Sequence, residues 1–279
     1  MKILVIGDFH GKFPARLKKL AGQVDFVLTT GDFGGSEKLL KIIFKNLAED
    51  WTKVVSKKKA KKYILEDYNS GKRIINELNK LPIDVYSIHG NWDFEGHHYK
   101  ERWGSLNIVN YSKLMGKTKN LYFLKRGIFR DIFGLKLFAF GGQLIPYINT
   151  LERGLKVNQT KRRKWRKDEK IQRQKILKKG SKDIDIFLAH YCPYGYFDKV
   201  KYKGYNPMNG KHVGIKGYTE FIKKFQPRIF ICGHMHEYQG IQKIGKTLII
   251  ATGAAKDGKA ALIDISLNKK SKIEVKLIK

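Results

Sequence analysis

Apolar and polar positions along the chain follow two periods, and each period predicts a different element. Met1–Gly7 (MKILVIG) and Val24–Thr30 (VDFVLTT) are short runs rich in β-branched residues, and each leads into a Gly-Asp pair, so both predict buried strands followed by turns. Between Glu37 and Ala48 the residues Leu39, Leu40, Ile43, Phe44 and Leu47 recur at helical spacing. Tyr63 to Leu81 repeats that spacing with Gly71 as its weak point, so both segments predict covering helices. Ile83–Ile88 predicts a third strand, and Ile128–Phe140 predicts a hairpin turning at Phe133 and Gly134. Further strands are predicted at Ile184–Ala189, Arg228–Cys232, Leu248–Ala251, Ala260–Ile265 and the closing IEVKLI. Helices and strands are mixed throughout, which predicts an α/β fold.

The pattern breaks between Lys156 and Lys182, where Lys, Arg and Gln dominate and Trp165, Ile171, Ile176 and Leu177 are the main apolar residues. This segment predicts a basic, helical insertion at about 156–182 in a single domain spanning 1–279, a length that one hydrophobic core can serve. At 42% hydrophobic and 12% aromatic the chain carries enough apolar surface to fold, which excludes a disordered basic tail. No stretch reaches the roughly 18 apolar residues of a membrane span, and Asp8 interrupts the first apolar run before a signal core could form, so a cytoplasmic protein is expected. Cys192 and Cys232 are the two cysteines, without Cys-x-x-Cys spacing, so they read as small buried hydrophobes and neither a disulfide framework nor a thiolate zinc site is expected.

Charge adds a candidate partner. Lys and Arg total 57 against 25 Asp and Glu, a formal charge of +32, with the excess concentrated in Lys53–Lys62, in the insertion and from Lys269 onward. Lys161, Arg162, Arg163, Lys164, Arg166 and Lys167 surround Trp165, which would combine phosphate neutralisation with a stacking surface as single-stranded nucleic-acid binders do. An acidic membrane surface would be attracted by the same charge.

Chemistry enters where the strands end. Asp8 and His10 follow the first strand, Asp32 the second and Asn91 the third, while His190 follows IDIFLA and His234 and His236 follow RIFICG. A single Asp or His at such a place is commonly a turn or capping residue. In open α/β sheets, however, the carboxyl ends of strands share an edge, so seven such residues predict convergence. Imidazole, carboxylate and amide donors suit two borderline divalent cations, with manganese first and nickel, iron or zinc as alternatives. Asp32 could bridge the two, and a pair of cations roughly 3.5 to 4 Å apart activates a shared water and clamps phosphate, so phosphoester hydrolysis is the expected chemistry.

In order, GDFH at Gly7–His10, GD at Gly31–Asp32, GNWD at Gly90–Asp93, AH at Ala189–His190 and GHMH at Gly233–His236 resemble the motif series of the calcineurin-like metallophosphoesterases. The resemblance spans residues 8–236 and implies a four-layer αββα sandwich of two mixed β-sheets flanked by helices. It implies Asp8, His10 and His236 on one metal, Asn91, His190 and His234 on the other, and Asp32 on both. It further implies a metal-bridging hydroxide that attacks phosphorus, with Asp32 and Asn91 as the catalytic residues. Trp92 departs from the family, which commonly carries there a histidine that protonates the leaving group, a role an indole cannot fill. His89, His97, His98 and His212 are spare histidines, and spacing assigns none of them to that role. The stretch His190–Asp198 (HYCPYGYFD) resembles a phosphodiesterase branch, so diesters are expected over monoesters.

Two alternatives stay open at this stage: a metal-dependent nuclease acting on nucleic acid held by the basic surface, and a non-catalytic nucleic-acid-binding protein on the same fold. A third, an NTPase, rests on the literal phosphate-loop match GIQKIGKT at Gly240–Thr247. That loop must open a helix, whereas the residues after Thr247 read as a strand, so a hairpin turning at Gly245 and Lys246 is expected instead.

Overall fold

The computed structural model describes residues 1–46, 54–93, 111–146, 158–181, 183–204, 206–269 and 271–279. Among these, two six-stranded sheets stack face to face. In the first, strands β1 (Lys2–Ile6), β2 (Phe26–Thr29), β3 (Val85–Ser87) and β4 (Leu121–Phe123) run parallel, β11 (Ala260–Asp264) pairs antiparallel with β1 and β12 (Glu274–Ile278) antiparallel with β11, in the order β12-β11-β1-β2-β3-β4. In the second, β6 (Leu135–Phe140), β7 (Ile186–Ala189), β8 (Ile229–Cys232) and β10 (Thr247–Ala251) run parallel between the antiparallel edges β5 (Ile128–Ile132) and β9 (Gly240–Ile244).

Strand alternation divides the side chains between layers. Ile3 and Val5 of β1 join Leu28, Leu137, Leu188 and Ile231 in a core between the sheets. Leu4 and Ile6 face the other way, toward Leu17 of α1 (Ala15–Ala21), Leu39 of α2 (Glu37–Lys45) and Ile64 and Ile75 of α3 (Lys57–Asn79). On the second sheet Phe138, Phe187 and Phe230 pack outward against Ile176 of α5 (Gln159–Lys178) and Tyr218 and Phe221 of α6 (Lys216–Phe225). Each such side chain contributes about 1.5 to 3 kcal/mol when fully buried, so the strands hold apolar runs because both of their faces are covered. The result is the expected four-layer αββα sandwich.

Several expectations hold in detail. The β5–β6 hairpin turns at Phe133 and Gly134, where φ is 51° and 85°. Gly240–Thr247 is the β9–β10 hairpin, with φ of 58° at Gly245 and a strand after it, so the phosphate-loop match is accidental. Both cysteines are buried. Other expectations shift. Helix α3 begins at Lys57, where the Ser56 hydroxyl accepts a hydrogen bond from the Lys59 amide, and it runs through Gly71 unbroken. A Cβ at Gly71 would collide with the Tyr111 hydroxyl, so the glycine allows α4 (Tyr111–Met115) to pack close. Helix α2 ends at Lys45, and Leu47 and Ala48 lie outside the described residues. Strand β4 and helix α1 are too short for the sequence pattern to predict.

Candidate metal centre

Because β1, β2 and β3 run parallel in one sheet and β7 and β8 run parallel in the other, their carboxyl ends lie at one edge of the sandwich, and all seven residues singled out from the sequence follow those ends. The chain leaves several of these strands through sharp turns. Asp8, His10, Asp32 and His234 have φ of 55°, 42°, 57° and 65°, in the left-handed region that Asp and His tolerate better than most residues. The turns need small neighbours: a Cβ at Gly90 would collide with the Asp32 carboxylate, and one at Gly233 with that of Asp8.

The side chains converge as two groups. One potential ligand atom from each of Asp8, His10 and His236 lies within 4.8 Å of the others, and the same holds for Asp32, His190 and His234. Asp32 stands between them. Its Oδ1 accepts the Trp92 amide at 2.7 Å, while its Oδ2 lies 3.7 Å from His10 Nε2 and 3.5 Å from His190 Nε2. The Asn91 Oδ1 is 2.7 Å from both His190 Nε2 and His234 Nδ1.

Hydrogen bonds fix which imidazole nitrogens face inward. His10 Nδ1 donates to the Gly34 carbonyl at 3.1 Å and His190 Nδ1 to the Thr30 carbonyl at 2.8 Å, which leaves each Nε2 as the inward atom. Burial, and then neighbouring imidazoles, hold His10 down to about 3, and burial also depresses His190 and His234, so these rings are neutral near pH 7. The neutral His190 therefore turns a lone pair toward the Asn91 oxygen, acceptor against acceptor. Asp32 is raised well above the usual carboxylate range by burial and by the charge of Asp8, whereas Asp8 is lowered despite its burial because His236 bonds to it and three imidazoles surround it. Opposed acceptors and two crowded carboxylates are what divalent cations relieve, and nitrogen and oxygen donors are the set such cations take. The residues fit a pair of cations.

A supporting shell was not legible in the sequence. Asp93 accepts three backbone amides, from Asp32, Phe33 and Gly90, at 2.7 to 2.8 Å, and so ties the turn after β3 to the turn after β2. Asp67, buried on α3, accepts the Trp92 indole N–H at 2.6 Å. Trp92 is itself buried and its ring lies edge-on to His10 at 6.4 Å, so it serves the centre as a wall. The Tyr191 ring is 4.2 Å from that of His234. Of the spare histidines, His89 stacks on Phe123 at 4.2 Å, and His212 donates from Nδ1 to the buried Asp198 at 2.6 Å. His97 and His98 lie outside the described residues. Trp165 is half-buried against the outer core of the second sheet, with the Lys161 ammonium 5.0 Å from its ring. Among the described residues no helix is long and apolar enough to cross a membrane.

The family model described as calcineurin-like phosphoesterase matches residues 1–238. An uncharacterized protein of Methanocaldococcus jannaschii is 24% identical over 254 residues, covering 90% of this chain and 87% of its own. Among solved structures, a Danio rerio dimetal phosphatase aligns with a TM-score of 0.52 at 10% identity, covering 100% of this chain and 96% of its own. A Thermus thermophilus protein aligns with a TM-score of 0.50 at 17% identity, covering 99% of this chain and 97% of its own.

Proposed function

The chain belongs to the calcineurin-like phosphoesterase family, and from that premise we propose that it hydrolyses phosphodiester bonds with two divalent cations, manganese foremost. Asp8, His10 and His236 hold one cation, Asn91, His190 and His234 hold the other, and Asp32 serves both. When bound, such a pair supplies the charge that makes hydroxide available at neutral pH and neutralises phosphate oxygens. The observation that carries the reading is the pair of acceptors, His190 Nε2 and Asn91 Oδ1, held 2.7 Å apart beside a shared carboxylate.

The chain's own residues do the positioning. The Trp92 amide fixes one oxygen of Asp32 and leaves the other directed at both groups. The Gly34 and Thr30 carbonyls set the histidine tautomers before any cation arrives, so little reorganisation is needed on binding. Asn91, at the turn after β3, steadies the phosphate as well as one cation. The indole at position 92 has no proton to give a leaving group, so diesters that release a good leaving group suit this site best.

The test is a metal-stripped preparation assayed on an aryl phosphodiester and the matching monoester, with and without manganese, nickel, iron or zinc. Hydrolysis of the diester should appear only with added cation and should fall by about 10³-fold or more in Asp32→Ala, because that carboxylate serves both cations. Turnover that ignores both the cation and Asp32 would sink the reading, and a faster monoester would reassign the substrate.

A further inference from the structure

Helix α5 passes the edge of the sandwich on which the candidate centre opens. Its level in the fold is set by contacts. Ile176 and Arg173 pack on Gly217, at the start of α6, and Arg173 pairs with Glu220, while Gly180 just past the end of α5 packs on Phe225 at the end of α6. The start of α6 is at the carboxyl edge of the second sheet, because the Ile215 amide bonds Cys192 O, two residues beyond His190. Residues 159–171 therefore reach past that edge, by roughly 20 Å at about 1.5 Å per residue.

The base of this segment is tied to the turn that carries Asn91. The side chain of Gln172 clamps Ile145 through two hydrogen bonds, 2.9 Å to its amide and 3.0 Å to its carbonyl. Ile145 belongs to the stretch after β6 in which the Gly142 amide bonds His89 O, two residues before Asn91. The exposed positions of 159–171 include Arg163, Lys164, Lys167 and Lys170 and no acid; Asp168 and Glu169 are half-buried, with Glu169 turned toward Arg173 and Lys216. Arg163, Lys167 and Lys170 follow at i, i+4 and i+7, one above another on a single stripe.

We propose that this stripe is a docking surface for a polynucleotide strand, which it leads to the metal centre. The proposal rests on the phosphodiesterase reading and names its substrate class. A row of cations suits a chain of repeated phosphodiesters, whereas a lone small diester would need one or two. A lipid surface is disfavoured because the apolar residues Trp165, Ile176 and Leu177 pack on the protein and leave Ile171, at 38% exposure, as the apolar group on the outside. The stripe offers cations to phosphates and no group that reads base edges, so the surface should show no base preference.

The test compares the intact protein with the triple variant Arg163→Glu, Lys167→Glu, Lys170→Glu, and with the neutral version carrying Gln at the same positions. Each is measured with manganese for binding and cleavage of oligo(dT) and oligo(dA), and for hydrolysis of the aryl phosphodiester. The expected result is equal handling of the two oligonucleotides by the intact protein, and loss of oligonucleotide affinity and cleavage by about tenfold or more in the charge reversal. The neutral version should fall between, the slope of log affinity against log salt should shrink by about 2, and aryl hydrolysis should be unchanged. Unaltered oligonucleotide binding in the reversal overturns the proposal, as does an intact protein that binds anionic vesicles but no oligonucleotide. Absence of aryl hydrolysis with every cation overturns the phosphodiesterase reading instead, and the binding arm still decides the role of the helix.

Discussion

At the scale of single residues, what holds the centre in place is as telling as the candidate ligands. Burial, offset in part by the Trp92 indole bond, pushes Asp67 up to about 7 from an ordinary 3.8. A carboxyl raised by folding adds stability that is complete below its unfolded pKa and is lost as pH rises through the folded one, here between about 3.8 and 7. Asp67→Asn keeps an oxygen for the indole and removes the titration. We expect the variant to match the parent near pH 4 and to be more stable above pH 7, by at most about 4 kcal/mol, in urea unfolding at the two pH values; a difference that did not grow with pH would refute this. The candidate ligands were legible because each follows an apolar run, a local signal. The bonds of Asp67, and of Asp93 although it stands in the GNWD motif, were not, because their partners Trp92, Asp32 and Phe33 come from other segments. For Asp67 the available hint was an acid on the apolar face of α3 between Ile64 and Ile74.

At the scale of elements, the segment from His190 to Ile215 between β7 and α6 has little regular structure, and Asp198 is a buried anchor within it. Asp198, 1% exposed, accepts the His212 ring at 2.6 Å and the amides of Gly195 and Gly214 at 3.0 Å. Asp198→Ala would leave these donors without their acceptor and should cost about 2 to 4 kcal/mol in denaturant unfolding, with Asp198→Asn recovering part of it. If the alanine variant lost less than about 0.5 kcal/mol, water would be replacing the carboxylate. No periodicity announces such a loop, and its anchor pairs residues fourteen positions apart in sequence. The parallel strands other than β4 and both hairpins could be read from the sequence, since each is a local apolar run closed by turn residues. The start of α3 could not, because Lys57–Lys59 hides a helix that Ser56 caps, and β4 is three residues held by β3.

At the scale of the whole molecule, each candidate group draws on both sheets. Asp8 and His10 follow a strand of the first and His236 a strand of the second, while Asp32 belongs to the first and His190 and His234 to the second. Cations bound there would tie the sheets together, and ligands of the native state stabilise it by mass action. At about 100 times the dissociation constant one cation adds about 2.7 kcal/mol, roughly 5 to 10 °C in a chain of this size. Manganese should raise the melting temperature by that order and a chelator should reverse it, with a smaller shift in a variant carrying both His190→Ala and Asp32→Ala, which keeps Asp8, His10 and His236. An equal shift in that variant would place the cation elsewhere. Divided donors also make the centre a record of assembly. A chain with only one sheet formed holds at most two members of either triplet, so it has no complete set with which to capture an ion. Metal uptake would then be the last event of maturation, and a half-built molecule would be kept from doing chemistry on the phosphates it meets.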